Sequence, residues 1–63
     1  MLISEMIKEM GTLYGMTQEA IAEVIGVVPM TVSKWSCEHD YPNTKNEENI
    51  QILYSELIEG GKQ

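Results

Sequence analysis

The chain has 63 residues, 43% of them hydrophobic and 22% charged, and four lysines against ten carboxylates leave it at −6 with no arginine. That size permits one domain, spanning 1–63, which buries about 60% of the unfolded surface and holds on the order of 3–5 kcal/mol of stability. The composition excludes a disordered tail, and a single cysteine excludes an internal disulfide.

The first segment, MLISEMIKEM, carries acids and a helical rhythm instead of a basic region and a long apolar run. It does not read as a signal peptide, and no stretch approaches the ~20 apolar residues of a membrane span. Together with the lone thiol of Cys37, this predicts a reducing cytoplasmic setting. Leu2 or Ile3, Met6, Ile7, Met10 and Leu13 or Tyr14 recur every three or four residues and predict a one-sided helix. Gly15 is placed to end it in a left-handed cap, and Gly11 weakens it by about 1 kcal/mol relative to alanine.

Thr17 reads as the N-cap of a second helix with Ile21, Ala22 and Ile25 inward, stopped by Gly26 after about two turns. Pro29 suits the first turn of a third helix, where its missing N–H is not needed. Val32 and Trp35 face inward there, and the helix ends near Cys37 or Glu38. His39 to Asn43 form a loop around Pro42. Thr44, Lys45, Asn46 and Glu47 match the capping-box spacing, so a fourth helix is expected from there. Ile50, Leu53, Tyr54, Leu57 and Ile58 give it a buried stripe, and Gly60-Gly61 close it. The fold class expected is all-α: four helices and no strands. Without phenylalanine, the core leans on Leu, Ile, Val, five Met and one Trp, an adaptable packing.

The stretch from Thr17 to Cys37 requires two short helices to cross through a tight turn. Ala22 is small where they approach, Gly26 can take positive φ at the corner, and Ile21, Ile25, Val27, Val32 and Trp35 fill the wedge. MTQEAIAEVIGVVPMTVSKW resembles the Cro and phage-repressor family of helix-turn-helix regulators, the lambda repressor-like domains. With the flanking helices, the resemblance covers roughly residues 3 to 58.

It implies that the third helix enters the DNA major groove with its N-terminal side chains on base edges. Val28, Pro29, Met30, Thr31, Ser33 and Lys34 then form the binding edge, and Gln18 contacts phosphate or supports that edge. Met30 and Thr31 would touch a thymine methyl, and Lys34 would reach guanine O6 and N7. A dimer would place its half-sites about 34 Å apart.

The departures from the family pattern are as informative. Where many members carry basic residues, this chain offers Glu5, Glu9 and a single Lys8, then Glu38, His39, Asp40 and Tyr41. Gly11 and Ser36 stand where an Arg–Glu pair often ties the first helix to the third. Val28 replaces the usual hydroxyl cap, and no sequence remains for a fifth helix. Each lost phosphate contact weakens the salt-dependent attraction, and each carboxylate repels a duplex. An apolar spot ringed by acid also suits a basic protein partner.

Two functions are therefore expected: an operator-binding regulator, or an acidic antirepressor that engages a basic repressor. Cys37, His39 and Asp40 are too few donors for a tetrahedral metal site. One His and one Cys without a phosphate loop or sheltered pocket give no basis for catalysis. No metal, cofactor or small-molecule substrate is expected. Trp35, Met6 and Met10 read as core, and Glu47 and Glu48 as solvated charge at a helix N-terminus.

Overall fold

The computed structural model describes residues 2–60 and consists of four helices: α1 Ile3–Tyr14, α2 Gln18–Ile25, α3 Pro29–Ser36 and α4 Thr44–Gly60. No strand occurs among the described residues. The all-α architecture matches the periodicity; the expected role of Gly61 falls outside the described residues.

Local chemistry sets most boundaries. Glu5 Oε1 reaches back to accept from Leu2 N at 3.3 Å at the start of α1. Thr17 Oγ1 accepts from Ala20 N at 3.1 Å and so satisfies one of the orphan donors of α2. Gly26 ends α2 at φ 92, its N–H donating to Ala22 O at 2.8 Å. No heavy atom lies within 4 Å of a Cβ built there, so backbone conformation alone demands glycine. Pro29 opens α3, and Val28 before it supplies no side-chain cap, as its apolar character predicts.

The end of α3 is unusual. His39 N donates to Lys34 O at 2.9 Å and Glu38 N to Trp35 O at 3.2 Å, a Schellman closure. The left-handed residue of that closure is Glu38, at φ 62, where glycine is the common choice. A Cβ in that region costs roughly 1–2 kcal/mol. Glu38→Gly is therefore expected to raise stability by about 1 kcal/mol, and Gly26→Ala to lower it by a similar amount. Urea midpoints of the two variants should move in opposite directions.

The start of α4 differs from the sequence expectation by one residue. Asn43 is the cap: its Oδ1 accepts from Asn46 N at 2.9 Å and its carbonyl from Glu47 N at 2.8 Å. Thr44 is the first helical residue and caps nothing. Glu47 does not close a capping box; its Oε2 accepts from the Tyr41 hydroxyl at 2.9 Å, and this bond raises the Tyr41 pKa. Pro42, between them, is buried.

One core joins the helices: Ile3, Ile7 and Met10 from α1, Ile21 and Ala22 from α2, Val32 and Trp35 from α3, Ile50 and Leu53 from α4. Each large aliphatic side chain withdrawn from water contributes about 1.5–3 kcal/mol. α1 packs on α3 and α4, and α2 packs chiefly on α3. Of the paired alternatives in α1, Ile3 takes the core place and Leu2 is exposed; Tyr14 is half-buried and Leu13 exposed. Ile25, Tyr54 and Leu57 are half-buried and pack against this core, and Ile58 is half-buried as well.

Tyr54 clamps α4 to α1. Its hydroxyl donates to Glu9 Oε1 at 2.6 Å. That hydrogen bond, with burial and the carboxylate charge adding to it, pushes the phenol pKa up from 10.0 to about 12. A folded-state pKa above the unfolded value means stability fully present below pH 10 and lost as pH rises through about 12. The denaturant midpoint should fall over that window, and fall less in Tyr54→Phe, which has no phenol to ionise.

Candidate functional site

The helix pair α2 and α3, with the turn Gly26 to Val28 between them, decides which side chains α3 can offer. Val32, Trp35 and Ser36 are buried, so the opposite edge carries Pro29, Met30, Ser33 and Lys34. Val28 and Met30 leave 62% and 68% of their surface exposed. Pro29 and Lys34 are also exposed, whereas Thr31 and Ser33 are half-buried. Thr31 lies one turn before Trp35, which draws it toward the margin of the core. The outward edge is therefore narrower than the continuous run from Val28 to Lys34 suggests.

Gln18, exposed in the first turn of α2, points its amide at α3. Its Nε2 donates to Ser36 Oγ at 3.2 Å, and Ser36 Oγ donates to Ser33 O at 2.9 Å. This relay ties the two helices together and fixes the direction of the Gln18 amide. Ser36 is 5% exposed. Its burial was not legible, because a serine beside a tryptophan carries no periodic signal. Among the described residues, no buried side-chain polar atom lacks a partner.

Between the end of α1 and the start of α2 lies an open cleft of about 360 Å³, whose lining includes Lys8, Gly11, Thr12, Gln18 and Ser36. Gly11 and Ser36 thus reach the same space without bridging it.

The electrostatics of this face are mixed. Lys34 is the one cation of α3, and Glu38 follows it by one turn. Lys45 lies on α4, and Lys62 falls outside the described residues. Trp35 sits in the core at 4% exposure, and Met10 is fully buried, as their periodicity predicts. Cys37 is an exposed thiol. Among the described residues, no three His, Cys, Asp or Glu side chains are grouped to hold a metal, and no helix is long and apolar enough to cross a membrane.

Compared with known protein families, with characterised proteins and with solved structures, the chain matches none of them.

Proposed function

We propose that the chain is a small transcription regulator of the Cro and phage-repressor type, acting in the cytoplasm and binding operator DNA through α3. The observation that carries this reading is the outer edge of α3, where Pro29, Met30 and Lys34 are exposed and Ser33 is half-buried, beside a three-residue turn. A short helix braced from behind by α1 and α2 can enter a major groove without unpacking the domain. Met30 would meet a thymine methyl and Lys34 guanine O6 and N7, with Ser33 between them. Gln18, held by Ser36, would stand at the phosphate backbone. Two copies on a two-fold axis would read half-sites about 34 Å apart.

Selection from a library of random DNA duplexes tests this with the full chain. A consensus should emerge whose affinity falls steeply with salt. Lys34→Ala should weaken binding and make the slope of log affinity against log salt shallower by about one unit. Failure to enrich any sequence at low salt counts against operator binding.

A second reading is favoured by one specific observation. Val28 and Met30 form an exposed apolar tip on a chain of charge −6, which suits a basic repressor protein. In that antirepressor role the same edge meets protein. Lys34→Ala then leaves affinity unchanged or improves it, because removing a cation increases attraction to a basic partner. The sign of the Lys34→Ala effect separates the two.

A further inference from the structure

A second concavity, of about 310 Å³, opens where the start of α1 meets the end of α3 and the following loop. Leu2, Ser4, Trp35, Glu38, Asp40 and Tyr41 line it. It shares no residue with the α3 edge assigned above, so it stands whether or not that edge reads DNA.

Its chemistry is two-sided. Leu2, the edge of Trp35 and the ring of Tyr41 are apolar, and Leu2 and Tyr41 are more than half exposed. Tyr41 is fixed at both ends: its hydroxyl donates to Glu47 Oε2 at 2.9 Å and its N–H to Asp40 Oδ1 at 2.9 Å. The aromatic wall is thus held in place before anything binds. Against it stand the carboxylates of Glu38 and Asp40, at the negative end of the α3 dipole.

A purely apolar occupant would strip water from two carboxylates without replacing it. A phosphate would be repelled by them. A metal ion would find too few donors, since no group of three is present among the described residues. An occupant with an apolar stem and a cationic, planar head satisfies both halves. Its stem lies on Leu2 and Trp35, its head stacks on the tyrosine face, and its N–H fork meets the carboxylates. We infer that this pocket receives an arginine side chain from a basic segment of a partner protein.

The sole tryptophan of the chain lies in the pocket wall and reports on it directly. The full chain would be titrated with the capped tetrapeptide acetyl-Gly-Gly-Arg-Gly-amide and, as neutral isostere, with the same peptide carrying citrulline. Trp35 emission and the amide resonances of Leu2, Glu38 and Tyr41 would be followed together. The arginine peptide should shift both saturably, with citrulline binding about tenfold more weakly. The double variant Glu38→Gln, Asp40→Asn, which keeps side-chain volume, should also bind about tenfold more weakly while melting as the parent does. Equal binding of the citrulline peptide overturns the inference, as does undiminished binding by the double variant. Shifts spread over the whole surface would show diffuse charge attraction and overturn it too. A duplex that moves these resonances while the arginine peptide does not would assign the pocket to nucleic acid instead.

Discussion

Trp35→Ala should leave the domain unfolded at 25 °C. Trp35 is 4% exposed and belongs to the cluster that joins all four helices. Truncating a buried tryptophan costs about 3–5 kcal/mol, through lost transfer energy and the cavity left behind. A domain of this size holds on the order of 3–5 kcal/mol in total, so the loss and the reserve are equal in scale. Far-UV circular dichroism and amide dispersion should both collapse, whereas Trp35→Phe should keep a cooperative, lowered melt. A cooperative Trp35→Ala transition with a loss under about 1 kcal/mol would show that Trp35 is dispensable to the core.

Met30→Asp should do the reverse, ending recognition while leaving the fold intact. Met30 is 68% exposed, and substitutions at such positions generally change stability by no more than about 0.5 kcal/mol. If α3 enters the groove as proposed, however, an aspartate would forfeit the thymine-methyl contact and set a carboxylate among phosphates. Affinity for the selected duplex should drop on the order of a hundredfold or more. Paired melting curves and gel shifts read the two effects separately. Retained affinity would remove Met30, and with it the entry edge of α3, from the interface.

Much of the backbone plan was legible because its signals are local. Thr17, Gly15, Gly26 and Pro29 each impose a conformation or satisfy a donor within a few residues of themselves, so sequence distance is enough to read them. The start of α4 shows where that logic fails. Asn43 and Thr44 are both good caps, and the spacing from Thr44 to Glu47 favoured the wrong one. The choice was settled by Tyr41, whose hydroxyl engages Glu47. The candidate edge was legible to the extent that α3 is helical: inward Val32 and Trp35 follow from the periodicity, whereas buried Ser36 and half-buried Thr31 and Ser33 do not. The Gln18 to Ser36 relay and the concavity at Leu2 and Tyr41 depend on approaches between distant segments, and Glu38 takes a left-handed conformation at a position where no glycine marks it. No local pattern announces them.

The bond between Gln18 and Ser36 bears on how the molecule responds to its medium. An amide donating to a hydroxyl fastens the two short helices, and neither group carries charge. Added ions cannot loosen such a joint as they would an arginine–glutamate clasp, and they also quiet the mutual repulsion of a strongly anionic surface. Concentrated electrolyte should consequently firm up the folded body while detaching any polyanion bound to it.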